Sequence, residues 1–205
     1  MKRALLLLFL LVPFILWRAP APGLDSRYPI AQILGPIIGD TPVSLSYTPF
    51  LSSYTAGTLN SYHSDWCWGG YFQVKAGRTV TIQQLGRWVL SGNSGTHRVN
   101  LLQGVSPNAI WGTVDINTSG KAAGQFAYVA LSTPKTLYET QSFYVLSRES
   151  VDSYYNANGT LGKNETDITL VKAANGTWDG TNCQYWTAES GVSIHVPINF
   201  TYSTP

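Results

Sequence analysis

The alternation of apolar and polar residues is clearest near the end of the chain, in the stretch VSIHVPINFTY at 192–202. Apolar side chains occupy every second position, which is the period of a strand with one buried face. Because proline cannot donate a ladder hydrogen bond, Pro197 predicts that this strand lies at a sheet edge or carries a bulge. The residues assigned to the buried face are Val192, Ile194, Val196, Ile198, Phe200 and Tyr202.

Strand-like segments recur from residue 43 onwards, separated by Gly, Pro, Asn and Ser, and no helical periodicity interrupts them. They are VSLSY, GYFQV, TVTIQQLGRWVL, HRVNLL, IWGTVDI, GQFAYVAL, SFYVLSRE and DITLV. The polar, turn-rich region from Ser150 to Gly180 is predicted to form long loops around DITLV. We therefore predict an all-β fold, a single β-sandwich or jelly roll formed by residues 43–205.

The beginning of the chain has the pattern of a secretory signal. Lys2 and Arg3 precede an apolar run from Ala4 to Trp17, which is short for a membrane span of about 20 residues. We assign residues 1–23 to this signal-like hydrophobic segment.

Residues 24–42 are predicted to form an extended apolar arm. Pro29 and Pro36 exclude a long helix, and the composition is too apolar for a solvated linker. The arm therefore needs a surface to pack on, either its own domain or a neighbouring subunit. The residues assigned to this assembly arm are Ile30, Ile33, Leu34, Ile37, Ile38, Val43, Leu45 and Tyr47.

Composition and charge narrow the class of protein. Only 12% of the residues are charged, the net charge is +2, and Lys and Arg form no cluster. This balance argues against a nucleic-acid-binding protein. Aromatic residues make up 13% of the chain, with seven Trp and twelve Tyr, as expected for an exported all-β protein.

The chain has two cysteines, Cys67 and Cys183. An exported protein can form a disulfide between them, which would close a very long loop. The alternative is a pair of buried free thiols.

The segment GNSGTH at 92–97 raises the question of a catalytic serine. A nucleophile elbow needs Gly-x-Ser-x-Gly on a strand-to-helix turn. Here Gly95 follows Ser94 directly, and a strand-like segment comes next. We therefore predict a hairpin loop between two strands, and no catalytic residue.

This segment belongs to a set of stretches that resemble an exported bacterial β-sandwich module. The stretches are LGRWVLSGNSGTHRVNLL, GQFAYVALSTPKTL, FYVLSRES and PINFTY. The usual pattern of the module is LGRYVxxGNSGTHxVxL, GxFxYxxLxxPVTL, YYVVSxE and GPVNFxY. The resemblance spans Trp68 to Tyr202. It implies a module of secreted and cell-surface proteins with an adhesive or carbohydrate-binding role, and single-domain forms with an N-terminal extension are similar to extracellular filament subunits.

Aromatic residues flank both cysteines. Aromatic faces bind sugar rings by stacking, and the alternative is a cluster packed on a disulfide. If the cysteines pair, the two groups become neighbours and form one patch. The residues assigned to this candidate ligand patch are Trp66, Trp68, Trp178, Tyr185 and Trp186.

The remaining chemistry-bearing residues are scattered. His63, His97 and His195 lack the spacing of metal ligands. Glu149 and Glu189 are interpreted as strand-end charges rather than as the carboxylate pair of a glycosidase. We therefore predict no metal site and no cofactor. Five asparagines begin N-glycosylation sequons, and they are Asn117, Asn158, Asn164, Asn175 and Asn199.

Together these features predict a non-enzymatic extracellular structural protein of the bacterial cell surface. The arm is expected to pack head-to-tail on a neighbouring copy and form a homopolymeric filament or surface appendage. The alternative is a secreted, lectin-like carbohydrate-binding module that uses the aromatic patch. The expected partners are other copies of the chain and glycans, not nucleic acid, and a membrane only through residues 1–23 if they are not cleaved.

Overall fold

The structure, a computed structural model, describes residues 46–60, 66–104, 109–155, 159–188, 194 and 198–205. For residues 60, 155 and 185–188 it describes the backbone alone. The signal-like segment and the assigned arm residues up to Leu45 lie outside the described residues.

The described residues form β-strands and turns, which confirms the predicted all-β class. No helix long and apolar enough to span a membrane occurs in this part of the chain. The strands are β1 (Thr48–Pro49), β2 (Leu51–Tyr54), β3 (Leu59–Asn60), β4 (Trp66–Val74), β5 (Val80–Trp88), β6 (Thr96–Gln103), β7 (Ile110–Asn117), β8 (Phe126–Leu137), β9 (Ser142–Arg148), β10 (Tyr154–Tyr155), β11 (Leu161–Lys163), β12 (Ile168–Trp178), β13 (Cys183–Ala188) and β14 (Ile198–Ser203).

Two antiparallel sheets form a β-sandwich. One sheet has four strands in the order β1-β14-β5-β8, and the other has six in the order β13-β12-β4-β9-β6-β7. Two short ladders, β2 with β11 and β3 with β10, flank them. The sandwich follows from the alternating pattern, because each sheet buries one face against the other.

The core between the two sheets is centred on four phenylalanines. Phe50 stacks on Phe200 and Phe72 stacks on Phe143, each pair with centroids 5.2 Å apart. Phe143 and Phe200 meet edge to face at 5.4 Å and join strands of opposite sheets. Ile194, Ile198, Phe200 and Tyr202 are all buried in this core, so the predicted inward face of the last segment is confirmed at the described positions.

A second apolar cluster lies on the opposite face of the six-stranded sheet. Along β9, Phe143 and Val145 belong to the core, whereas Tyr144 and Leu146 belong to this second cluster. It also contains Cys67 and Cys183, so the disulfide packs on the outer face of the sheet.

Two local predictions are wrong. The loop that contains Gly92–His97 is not a hairpin, because β5 belongs to the four-stranded sheet and β6 to the six-stranded sheet. The region up to Gly180 is not mainly loop, because β12 continues through Trp178. Gly176 allows β12 to lie close to β13, since a Cβ atom at this position would overlap the backbone oxygen of Gln184.

Candidate functional site

The stretch Leu85-Gly86-Arg87-Trp88 on β5 supplies two functional features on opposite faces of its strand. Leu85 lies in the core, and Arg87, two residues on, is also turned inward and is 1% exposed. Gly86 and Trp88 have the opposite orientation, since side chains alternate along a strand. The inward face holds a buried group of charges, and the outward face forms one wall of a groove.

The buried charges form a network that we call the charge clamp, consisting of Arg87, His97, Glu149 and Asp152. The Arg87 guanidinium binds the Glu149 carboxylate in a bidentate manner, with Nε–Oε1 and Nη2–Oε2 distances of 3.0 and 2.7 Å. Ser147 donates a hydrogen bond to Glu149 Oε1 at 2.6 Å. Glu149 is 0% exposed, so its interpretation as an ordinary strand-end charge is wrong: it is the counter-ion of Arg87.

His97 joins the two carboxylates of the charge clamp. Its Nδ1 lies 3.2 Å from the backbone oxygen of Arg148 and 3.4 Å from Glu149 Oε2. Its Nε2 lies 3.3 Å from Asp152 Oδ2. Both ring nitrogens therefore face oxygens of the 148–152 segment. The ring connects β6 to that segment.

Asp152 holds the loop between β5 and β6. Its Oδ2 accepts hydrogen bonds from the backbone N–H groups of Ser94 and Gly95 at 3.0 and 2.6 Å. A Cβ atom at Gly95 would lie only 2.8 Å from that oxygen, which explains the glycine. Asn93 completes the anchor, because its Oδ1 accepts from Arg87 and its Nδ2 donates to the backbone of Ser153. The GNSGTH segment is therefore a structural junction between the sheets.

Electrostatics inside the charge clamp favour the ionised carboxylates. Burial alone would raise the pKa of Glu149, but the positive charge of Arg87 and the contact with His97 outweigh it and lower this pKa to about 2. The pKa of Asp152 is also lowered, because the N–H groups of Gly95 and Ser94 and the His97 ring overcome the effect of its burial. The network thus stabilises the ionised carboxylates of Glu149 and Asp152.

These lowered pKa values predict acid sensitivity. A carboxyl whose pKa is lower in the folded state stabilises the fold above its unfolded pKa and loses that contribution as the pH falls through the folded value. For Glu149 the loss spans from its ordinary value of 4.5 down to about 2. We expect the melting temperature to fall steeply across this interval in calorimetry. The double variant Arg87→Met with Glu149→Leu lacks this carboxyl and leaves no buried unpaired charge, so it should show a flatter profile there. Equal slopes in both proteins would contradict the assignment.

The outward face of β5 forms an aromatic groove with β2 and β8, with a volume of about 460 Å³. Trp88 and Phe126 lie opposite each other in the β5–β8 register, with ring centroids 4.9 Å apart at 74°. Tyr54 closes one end, 5.0 Å from Trp88 at 76°. These rings come from three strands that are distant in sequence. The residues that line the groove are Pro49, Leu51, Ser52, Ser53, Tyr54, Trp88, Gly124, Gln125, Phe126 and Tyr128.

Tyr128 fixes the floor of the aromatic groove. Its ring lies across Gly86, where a Cβ atom would be 2.6 Å from ring carbons. Its hydroxyl accepts a hydrogen bond from Asn199 Nδ2 at 2.8 Å. Burial raises the pKa of Tyr128 to about 12, partly offset by the Asn199 hydrogen bond. The phenol is therefore neutral at physiological pH and structurally fixed.

The predicted aromatic patch beside the cysteines is divided between two faces of the six-stranded sheet. Trp66 and Trp68 stack on each other with centroids 5.3 Å apart, and Trp68 packs against the inter-sheet core. Trp178 packs against the outer cluster, and the Arg148 guanidinium lies 4.1 Å from its ring centroid. The side chains of Tyr185 and Trp186 lie outside the described residues.

The predicted pairing of Cys67 with Cys183 is confirmed: they form a disulfide with a Cα–Cα distance of 5.8 Å. It fastens β13 to β4 and indicates an oxidising environment. The neighbouring turn is held by side chains, because buried Asn100 accepts from the Cys183 N–H at 2.9 Å and donates to Asn182.

The sequons differ in their accessibility. Asn199 is 0% exposed and its amide nitrogen donates to the backbone of Leu51 and to Tyr128. Asn175 is also buried, so both are closed to a modifying enzyme in the folded protein. Asn117 is exposed and Asn164 partly exposed, whereas Asn158 lies outside the described residues.

Sequence reasoning missed both the charge clamp and the aromatic groove. The signal for the charge clamp was present, because Arg87 occupies an inward position between Leu85 and Val89. No local sequence pattern indicated the groove, since its walls are separated by about 35 to 75 positions along the chain. Among the described residues, no three His, Cys, Asp or Glu side chains converge to hold a metal ion.

No family model matches the chain, and no curated protein is significantly similar to it in sequence.

Proposed function

We propose that this chain is a non-enzymatic extracellular structural protein that assembles into a filament or surface appendage. The arm, residues 24–42, packs on a neighbouring copy and joins the subunits head to tail. Such a contact does not close on itself, so it generates an open fibre.

The observation that carries this proposal is the short edge strand β1. It pairs with β14 at two positions only, Thr48 with Tyr202 and Pro49 with Thr201. β14 ends one residue beyond Tyr202, at Ser203. It therefore offers almost no further backbone with which the residues before Thr48 could pair. Tyr47, the one assigned arm residue that is described, is 44% exposed. In the proposed assembly, the apolar residues before Tyr47 pack on a neighbouring copy.

Each sheet has an edge strand that pairs with a single neighbour, and the edges β7 and β8 touch each other where Leu131 packs on Gly112. Within the described part of the chain, β8 pairs with β5 alone and β7 with β6 alone. An extended peptide that pairs with such an edge gains backbone hydrogen bonds, and its alternate side chains can fill pockets. Exposed Pro134 and half-buried Lys135 discourage pairing near one end of β8, so an added strand would pair along the remainder of this edge.

Secretion fits the same proposal. The signal-like segment would export the chain, and the disulfide is compatible with an extracellular location. A glycan-binding module that uses the predicted aromatic patch has less support, because Trp68 and Trp178 pack on opposite faces of the sheet.

Charge substitutions in the arm test the proposal. In the secreted chain, Ile33→Asp combined with Ile37→Asp should abolish polymers in sedimentation velocity, because a buried unpaired carboxylate is strongly unfavourable. The matched control, Gln32→Asp, adds a charge to the same arm outside the assigned apolar set and should leave polymers intact. An unmodified chain that sediments as a monomer, or a double variant that polymerises normally, would contradict the proposal.

A further inference from the structure

We infer that the aromatic groove is a binding site for a neutral saccharide. This inference goes beyond the proposed assembly role and does not depend on the arm, because all the groove residues belong to the sandwich. The shape of the groove, its polar rim, its lack of charge and its rigidity all favour such a ligand.

The aromatic walls suit the apolar faces of sugar rings. Trp88, Phe126 and Tyr128 are half-buried, so each has part of its surface available. The Trp88 ring is nearly perpendicular to both Phe126 and Tyr54, so the groove offers walls in more than one orientation. The C–H groups of a pyranose pack on such aromatic surfaces as other apolar groups do.

The rim supplies hydrogen-bonding groups for sugar hydroxyls. Ser52, Ser53 and Gln125 are exposed at the edge of the groove, and a hydroxyl or amide side chain can both donate and accept. A few polar groups around aromatic walls are typical of small-molecule sites, and the volume lies within their usual range of about 300–1,000 Å³.

The lack of charge decides between ligand classes. Among the described residues that line the groove, none is charged. A charged ligand would lose hydration there without gaining a counter-ion, which is unfavourable. A purely apolar segment would cover Ser53 and Gln125 without offering either side chain a hydrogen-bonding partner. A neutral saccharide satisfies both the aromatic walls and the polar rim.

The groove is also preorganised. Trp88 and Phe126 face each other on paired strands, and Tyr128 is fixed between Gly86 and Asn199. A site on rigid strands loses little conformational entropy when it binds a ligand.

The test is titration of the secreted protein with maltotriose, cellotriose and mannotriose, and with trigalacturonate as a charged probe, by calorimetry and tryptophan fluorescence. We expect at least one neutral probe to bind. Ser53→Asp and Phe126→Ser should each weaken that binding at least tenfold. Thr133→Asp, an exposed change on β8 outside the lining, should not weaken it. Because Phe126 also contacts the core, the rim change Ser53→Asp, with an unchanged melting temperature, is the decisive variant.

Three outcomes would overturn the inference. One is the absence of binding by all three neutral probes at millimolar concentration. Another is binding that Ser53→Asp leaves unchanged. The third is equal or tighter binding of trigalacturonate, which would show that the site prefers a charged ligand.

Discussion

Replacing Glu149 with Gln is expected to lower the free energy of unfolding by about 3–5 kcal/mol, because it leaves the buried Arg87 guanidinium without a counter-ion. Both side chains are at most 1% exposed, so water cannot compensate. A domain of this size has a total stability of roughly 5–15 kcal/mol, so the variant should be close to unfolding. Urea denaturation at pH 7 measures the effect.

The exposed pair of Arg98 with Asp115 provides a matched control. It has a similar bidentate geometry, with 2.7 Å contacts, but its side chains are 31% and 48% exposed. Asp115→Asn should therefore change the stability by no more than about 1 kcal/mol. Replacing both buried partners, Arg87→Met with Glu149→Leu, should recover part of the loss, since no unpaired charge remains. A Glu149→Gln effect no larger than that of Asp115→Asn would contradict the charge clamp.

Removing the disulfide is expected to lower the stability by about 2–5 kcal/mol. Cys67 and Cys183 are 116 positions apart, so the bond restricts a large part of the unfolded chain. It also links β13, the edge strand of the six-stranded sheet, to β4. Without the bond, the adjoining turn would be held by hydrogen bonds to Asn100, Arg98 and Asp179. Thermal unfolding with and without a reducing agent measures the effect.

The double variant Cys67→Ala with Cys183→Ala is the control for the reduction experiment. It should melt near the temperature of the reduced protein and should not respond to the reducing agent. If reduction leaves the melting temperature of the unmodified chain unchanged, although mass spectrometry shows free thiols, the stabilising role of the bond is contradicted.

The sheet-forming segments were predictable because each follows a local rule. Ile198, Phe200 and Tyr202 alternate with polar residues, and one buried sheet face requires this period. The confirmed disulfide was predictable only as a possibility, since two cysteines permit one pairing but do not require it. The strand predictions depend on residues that are near neighbours in sequence, and the disulfide prediction depends only on the presence of two cysteines.

The connections between elements were not predictable in the same way. Turn-forming residues at Ser91–Thr96 specify a change of direction, but they do not specify which sheet receives the next strand. The deciding contacts are long-range, since Asp152 binds the backbone of Ser94 and Gly95 from 57 or 58 positions away. Arg87 was the available clue, because a charged residue at an inward strand position needs a buried partner.

The two inferences assign different surfaces to different tasks. We propose that the arm joins copies of the chain, and we infer that the aromatic groove on the outer face of the four-stranded sheet binds a saccharide. The charge clamp fixes the junction between the sheets, since it anchors β5 from its inward side. A subunit built in this way would present a sugar-binding groove repeatedly along a fibre.

Negative-stain electron microscopy of the secreted, untagged chain, beside a version that lacks Leu24–Asp40, tests the assembly role most directly. We expect filaments from the full chain and single particles from the shortened one. Single particles from both would contradict it, and so would filaments from the shortened chain.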